Sequence, residues 1–239
     1  MALKLESVSP LIGSDVEDVY GRVVGTLVCV TSDMNGNVKS VDIKIADRAI
    51  ETVPAERLTL RDGKLVVIPS WRHVATTVIE ALDRAYRRRR ALDTMASSDL
   101  PGEIVESYKR SIAEEIRELK VRAEEAKKAI KDRLASLEDE ALAVAKAIAS
   151  LQILYFSGEV SEKVYNQSMN HLRKMRDKIT EEKNDAKRVL DKLEKTLEAA
   201  LAPAPREEAK QQPQQQPQQQ QQRPPTQQPQ PILVKVEEA

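Results

Sequence analysis

A long apolar seam is the feature that most constrains what this chain can fold into. Its residues follow one another in steps of three and four: Val105, Tyr108, Ile112, Ile116, Leu119, Ala123, Ala126, Ile130, Leu134, Leu137, Ala141, Val144, Ile148, Leu151 and Tyr155. This spacing places them on one side of an α-helix, where another helix must cover them. Two consecutive steps of four around Ile130 form a stutter, which locally unwinds a supercoil. A helix over residues 103–156 would be roughly 80 Å long, so the seam predicts a coiled coil.

Glycine and proline divide the rest of the chain into regions. Five of the seven glycines lie in the first seventy residues, and no proline occurs between Pro101 and Pro203. Because these residues interrupt regular structure, we predict a β domain over residues 1–70, a helical coiled coil over 71–201 and a disordered tail. Helices are expected at about 71–96, 103–156 and 161–201. The first should fold back on the start of the second, and the third on its other end.

The first seventy residues predict six short strands with close turns. They are expected at 16–20, 23–31, 41–45, 49–53, 58–60 and 64–68, with a hairpin turn at Asn35-Gly36-Asn37. A small closed barrel would remove the edges that such a sheet exposes. The expected fold class is therefore α+β, with a small N-terminal β-barrel followed by a long antiparallel coiled coil. Cys29 lies in an apolar run, which predicts a buried thiol.

The tail ends in a short segment with the pattern of a β-strand. Residues 202–230 form a linker rich in glutamine and proline, a composition typical of disorder. In the terminal segment 231–239, Ile232, Val234 and Val236 alternate with Leu233 and Lys235. These five residues are predicted to bind the open sheet edge of another protein. Alternatively, the segment folds back onto its own N-terminal domain, or is a frayed end without a role.

A cluster of arginines lies near the end of the first predicted helix. Its members are Arg84, Arg87, Arg88, Arg89 and Arg90. Such a cluster can bind acidic lipid headgroups or nucleic-acid phosphates. Alternatively, it is a cationic face neutralised by Asp83, Asp93 and acidic residues of the packed helix. We favour the binding interpretation.

The sequence offers little chemistry for an enzyme. Two histidines and one cysteine do not make a convincing zinc site. The sequence also lacks the glycine-rich phosphate loop and the nucleophile motifs of known enzymes. We therefore expect no catalytic residue, no metal and no cofactor. The apolar runs are too short for a membrane span, and the N-terminus lacks a signal peptide's apolar core. A cytoplasmic location is expected.

Short motifs in the β region resemble the PRC-barrel family. They are Leu11-Ile12-Gly13, Tyr20-Gly21-Arg22, Val24-Gly25 and Val53-Pro54. That family has an Ile-Gly opening, a Gly-Arg turn into a strand with a second glycine, and a Val-Pro segment near its end. The resemblance implies a small β-barrel over the first seventy residues.

The layout of the whole chain resembles the archaeal cell-division protein A family of the ESCRT-III-like division machinery. The local matches are Asp18-Val19-Tyr20-Gly21-Arg22, Val67-Ile68-Pro69 and Pro231-Ile232-Leu233-Val234-Lys235-Val236. The resemblance implies that the C-terminal peptide adds a strand to the winged-helix domain of the ESCRT-III-like division protein B. It also implies filaments at mid-cell on the inner face of the membrane. The glutamine-rich tail departs from the family.

Three hypotheses follow. The first is a non-enzymatic scaffold that self-associates into dimers and filaments, contacts an acidic membrane surface and recruits the ESCRT-III-like partner. The second is a DNA-associated, filament-forming coiled-coil protein, with the arginines on phosphates. The third is a PRC-barrel accessory to RNA processing, which would need a basic barrel surface; the barrel sequence is not markedly basic.

Overall fold

The structure is a computed structural model that describes residues 3–46, 49–95 and 101–202. Within them a six-stranded sheet is followed by three long helices, which agrees with the expected α+β class. The predicted binding peptide 231–239 and nearly all of the predicted linker lie outside the described residues.

The sheet is built from short strands in the order β4-β3-β2-β1-β6-β5. The strands are β1 (Asp15–Asp18), β2 (Val23–Ser32), β3 (Val38–Ile45), β4 (Ala49–Pro54), β5 (Leu58–Arg61) and β6 (Lys64–Val67). Strands β1 and β6 are parallel, and the other neighbouring pairs are antiparallel. A short helix α1 (Leu5–Val8) precedes the sheet and contributes Val8 to its core.

The strands do not form the expected closed barrel. The ladders pair β4 only with β3 and β5 only with β6 among the described residues, so the sheet is open. Pro54 ends β4 without a backbone N–H, and the 3-10 turn Ala55–Arg57 then leads the chain to the far edge. The sheet nevertheless shares one core, formed by Val8, Val16, Leu27, Val38, Val41, Ile43, Val53, Leu58, Leu65 and Val67.

The prediction of a buried Cys29 is also wrong. The Cys29 side chain is exposed and its thiol is free. The register between β2 and β3 shifts between Leu27 and Cys29, and a bulge of this kind breaks the alternation of inward and outward side chains. An apolar run does not reveal such a bulge.

Three helices pack side by side beyond the sheet. They are α2 (Ser70–Met95), α3 (Gly102–Phe156) and α4 (Glu162–Leu201). Trp71 contacts Glu182 and Arg89 contacts Ala200, so α2 and α4 run in the same direction. Arg88 contacts Glu115 and Arg133 contacts Glu182, so α3 runs against both. Helix α2 thus folds back on the start of α3, as expected. Helix α4 was expected to pack only on the other end of α3. Its 40 residues in fact extend along α3 as far as the start of that helix.

The three-helix bundle has one continuous apolar core. Its helical members are Trp71, Ala75, Val78, Ile79, Leu82, Ala85, Ile112, Ile116, Leu119, Ala123, Ala126, Ile130, Ala186, Leu193, Leu197 and Ala200. The stutter residue Ile130 is fully buried near the end of this core. None of the helices in the described ranges carries an apolar stretch long enough to cross a membrane.

Beyond the bundle, α3 and α4 continue as a two-helix hairpin. Leu137, Val144 and Ile179 form its small core. Near the turn, the ring of Tyr155 stacks on that of Tyr165 with 4.2 Å between centroids. The hairpin core is narrow, so large parts of both helices remain exposed.

Gly25 in β2 provides a test of the packing between β2 and β3. A Cβ atom there would overlap the carbonyl oxygen of Lys44 and lie 2.7 Å from Cγ2 of Ile43. We expect Gly25→Ala to lower the free energy of unfolding by about 1–3 kcal/mol, because the strands must separate. Chemical denaturation would measure this loss. The control Gly102→Ala meets no atom within 4 Å and should leave the unfolding curve nearly unchanged; equal stability of all three proteins would contradict the tight approach.

Candidate functional site

One buried carboxylate joins the sheet to all three long helices. Glu182 of α4 is 1% exposed. Its oxygens accept hydrogen bonds from Arg22 Nη2 at 2.5 Å, from Arg133 Nε and Nη2 at 2.8 Å each, and from Trp71 Nε1 at 3.2 Å. Arg22 lies in the turn between β1 and β2, whereas Trp71 belongs to α2 and Arg133 to α3. We call this group of four residues the Glu182 cluster.

The turn between β1 and β2 directs Arg22 toward the helices. Asp18 Oδ1 accepts the backbone N–H groups of Tyr20 and Arg22 at 2.9 Å each, and Oδ2 accepts Arg22 Nε at 2.6 Å. Gly21 has a φ of 73°, a conformation that glycine adopts without strain. The motif Asp18-Val19-Tyr20-Gly21-Arg22 is therefore a turn that holds an arginine in place.

A second contact supports the same junction. The hydroxyl of Tyr20 donates a hydrogen bond to Asp185 Oδ2 at 2.9 Å, and Arg72 Nε lies 3.1 Å from the same oxygen. Burial and the hydrogen bond to Asp185 raise the pKa of Tyr20 above its usual range. The phenol stays protonated and keeps donating, since its ionisation beside a carboxylate is unfavourable.

The Glu182 carboxylate is ionised despite its burial. Burial raises its pKa, but the hydrogen bonds from Arg133 and Arg22 outweigh this effect and hold the pKa below its ordinary value. The hydrogen bond to Glu182 in turn raises the pKa of Arg133. The cluster therefore exists as a set of paired charges.

The cleft beside the cluster has its charges paired within the protein. Its volume is about 340 Å³. The arginines lining it bind carboxylates: Arg22 binds Asp18 and Glu182, Arg57 binds Glu51, and Arg133 binds Glu182 and Glu140. These pairs suit a structural junction better than a catalytic site. In the part of the chain that the structure describes, no group of His, Cys, Asp or Glu could hold a metal ion.

The structure divides the predicted arginine cluster into two sets. Arg88 forms an ion pair with Glu115 of α3 at 3.3 Å. Arg89 donates to the carbonyl oxygens of Ala200, at 2.9 Å, and of Ala202. Arg88 contacts an acidic residue of the packed helix, as the alternative interpretation has it, whereas Arg89 contacts main-chain carbonyl oxygens at the end of α4.

The other three arginines are exposed, as Arg88 also is, but their described contacts lie on their own helix. Arg84 is 4.0 Å from Glu80, Arg87 Nε donates to the carbonyl of Asp83 at 3.2 Å, and the Arg90 guanidinium lies 5.9 Å from the centre of the Tyr86 ring. Such weak local contacts leave Arg84, Arg87 and Arg90 able to bind an anionic surface.

Sequence reasoning missed the Glu182 cluster. In the sequence, Glu182 interrupts the apolar stripe of α4, and Arg133 is one of many charged residues of α3. A signal was present, because a carboxylate at a core position of a helix requires a basic partner. Which of the many arginines supplies it is not visible in the sequence. The predicted peptide residues Ile232, Leu233, Val234, Lys235 and Val236 lie outside the described residues.

Replacing the buried carboxylate tests its role. We expect Glu182→Gln to lower the free energy of unfolding by about 2–3 kcal/mol, because it leaves two partly exposed arginines without their counter-charge. Glu181 is exposed, so Glu181→Gln is a matched control with little expected change. Urea unfolding at neutral pH measures both, and equal curves for the two variants would contradict the role assigned to Glu182.

The pH dependence of this difference is a separate prediction. Folding lowers the pKa of Glu182. The stability that the ionised carboxylate gives the folded protein is therefore fully present above the ordinary glutamate pKa of 4.5. It is lost as the pH falls through the lowered pKa. The stability gap between the unmodified protein and Glu182→Gln should therefore narrow in acid. Unfolding curves from pH 7 to pH 3 would show it; a constant gap would contradict it.

The comparisons with known proteins agree with this architecture. A family model described as the CdvA-like coiled-coil domain matches residues 70–221, which include all three long helices. The chain is also similar to Cell division protein A of Sulfolobus acidocaldarius, with 32% identity over 197 residues that cover 81% of this chain and 82% of that protein. No solved structure matches the chain. On the strength of these two matches, this chain belongs to the CdvA-like coiled-coil family.

Proposed function

We propose that this protein is a non-enzymatic scaffold for cell division. In this proposal it self-associates through its coiled coil at mid-cell, on the cytoplasmic face of the membrane, and recruits an ESCRT-III-like division protein through its C-terminal segment. The observation that carries the proposal is the match to Cell division protein A over 81% of the chain. A role in cell division is the part that this match supports directly.

The pairing of the buried charged side chains supports a scaffold function. Glu182 is the most buried charged side chain among the described residues, and its carboxylate is surrounded by arginine and indole donors. A carboxylate held this way is a poor general base, because its pKa is lowered and its oxygens are already occupied. Its effect is to fix the sheet on the helices, which is what an assembly protein requires.

The exposed arginines support a contact with an acidic membrane. Arg84, Arg87 and Arg90 lie on exposed parts of α2, and each basic residue near an anionic bilayer contributes about 1 kcal/mol. Three such residues hold one copy weakly. An assembly that presents many copies binds much more strongly, because each further contact is intramolecular.

Deleting residues 231–239 tests recruitment. We expect this deletion to abolish binding to the winged-helix domain of an ESCRT-III-like division protein, because the added strand is lost, while self-assembly remains. Isothermal titration measures binding, and electron microscopy follows assembly. A shorter deletion of residues 237–239 keeps Ile232 to Val236 and should bind normally. Unchanged affinity of the longer deletion would refute recruitment through this segment.

Replacing the exposed arginines tests the anionic surface. We expect Arg84→Gln, Arg87→Gln and Arg90→Gln together to weaken co-sedimentation with acidic vesicles, since three charges at the lipid surface are lost. Arg88 and Arg89 stay unchanged because they hold the helices together. The control for total charge is a triple variant in which three other exposed arginines are replaced by glutamine: Arg122, Arg173 and Arg176.

Duplex DNA in the same salt series separates the two anionic partners. If the replaced arginines weaken DNA binding and leave vesicle binding unchanged, the protein is instead a DNA-associated filament. In that case binding should fall steeply with salt, since phosphate contacts release counterions.

A further inference from the structure

We infer that two copies of this chain pair antiparallel through an exposed apolar stripe on the distal half of α3. The stripe consists of Leu142, Ala145, Ala149, Ile153 and Phe156, and we call it the distal stripe. The inference rests on the proposed scaffold function, which requires self-association, and it identifies the surface for one of the contacts.

The composition of distal α3 indicates that more than one side of it is covered. Residues 141–156 contain a single charged residue, Lys146, whereas 32% of the whole chain is charged. Helix α4 covers the side formed by Val144, Ile148, Leu151 and Tyr155, the end of the seam. A helix that is apolar nearly all round is normally buried all round, and a single antiparallel partner covers only one side.

The distal stripe lies on the side of α3 away from α4. Its residues are spaced by three and four, so they line up along the helix, and they are turned by roughly 90–160° from the side that packs on α4. Leu142 is 54% exposed, Ile153 68% and Phe156 80%, and the two alanines between them are exposed as well. The result is a continuous apolar surface about 21 Å long.

The stripe is symmetric about Ala149, which points to a second copy of the same chain. Leu142 and Phe156 are each seven residues from Ala149, and Ala145 and Ile153 are each four residues from it. With Ala149 on a two-fold axis, antiparallel pairing places Ala145 opposite Ile153 of the second copy. A small residue then faces a large one, which allows helices to interdigitate, and a two-fold contact uses the same surface on both partners.

The charges beside the stripe agree with this pairing. In the same register Lys146 lies opposite Gln152 of the second copy, so like charges do not meet along the seam. The contact between two hairpins would then resemble an antiparallel four-helix bundle. Because a two-fold contact closes at two copies, a filament needs a second interface elsewhere.

A bilayer fits the distal stripe less well. If the turn end of the hairpin entered a membrane, Leu142 would lie about 21 Å along the helix from Phe156. Glu159 and Glu162 are exposed at the turn, where an acidic bilayer would repel them. The length and direction of the stripe suit a helix packed alongside.

Engineered cysteines test the register. In full-length protein with Cys29→Ser, we expect Ala149→Cys to form disulfide-linked dimers under mild oxidation, because the two thiols meet at the axis within the 7 Å Cα separation that a disulfide tolerates. Leu142→Cys and Phe156→Cys should each stay unlinked alone and form a cross-linked pair when mixed. Lys131→Cys, exposed on the charged part of α3, is the negative control. Linking of Leu142→Cys with itself, or failure of Ala149→Cys to link, would overturn the inference.

A buried charge tests the stripe independently. We expect Ile153→Glu to weaken dimerisation at least about tenfold, measured by light scattering over a concentration series, with an unchanged helical circular dichroism spectrum. Val121 is 61% exposed on the same helix outside the stripe, so Val121→Glu should dimerise normally. If Ile153→Glu leaves the dimer intact, or lowers vesicle binding while the unmodified protein is monomeric, the inference is wrong.

These outcomes are distinct from a failure of the proposed function. Recruitment is measured with the deletion of residues 231–239, whose outcome does not depend on the distal stripe. A dimer of the unmodified protein that persists in Ile153→Glu would refute the stripe as the contact without refuting the scaffold function. A chain that neither assembles nor binds its partner would refute both.

Discussion

The buried Glu182 carboxylate is the interaction on which the rest of this structure depends. Apolar packing draws the sheet and the helices together but is not directional, so it does not by itself fix how they are oriented. Glu182 supplies direction, because its hydrogen bonds to Arg22, Trp71 and Arg133 have a narrow range of geometries. A buried ion pair contributes little net stability. Its effect here is to favour one arrangement, since any other would leave a buried charge unpaired.

This junction brings together two segments that lie far apart in the sequence. The turn Asp18-Val19-Tyr20-Gly21-Arg22 and the start of α2 at Trp71 converge on Glu182 and Asp185. Their residues serve the attachment of the sheet to the helices. The sheet is therefore held at the middle of α3, near Arg133, and both ends of the helical part remain available for contacts.

The two ends have different chemistry. Exposed arginines lie where α2 passes the beginning of α3, near Glu115. The distal stripe is centred on Ala149, about 50 Å further along the same helix. In the proposed scaffold, the surface for anions and the surface for another copy are too far apart to compete. Antiparallel pairing about Ala149 would place the two sets of arginines at opposite ends of the dimer.

The sequence by itself determined the helices and strands. The period of three and four in α3, the alternation in β3 and the glycine and proline boundaries all specify local geometry. Local geometry depends only on neighbouring residues. Tertiary structure alone decided that the sheet is open and that Cys29 is exposed. It also decided that Arg88 and Arg89 contact neighbouring helices, whereas Arg84, Arg87 and Arg90 do not. It also decided that Glu182 is a junction and not an interruption. The physical reason is that the environment of a charged side chain is set by partners more than a hundred residues away, such as Arg22, and a bulge or an unpaired edge depends on which strand lies alongside.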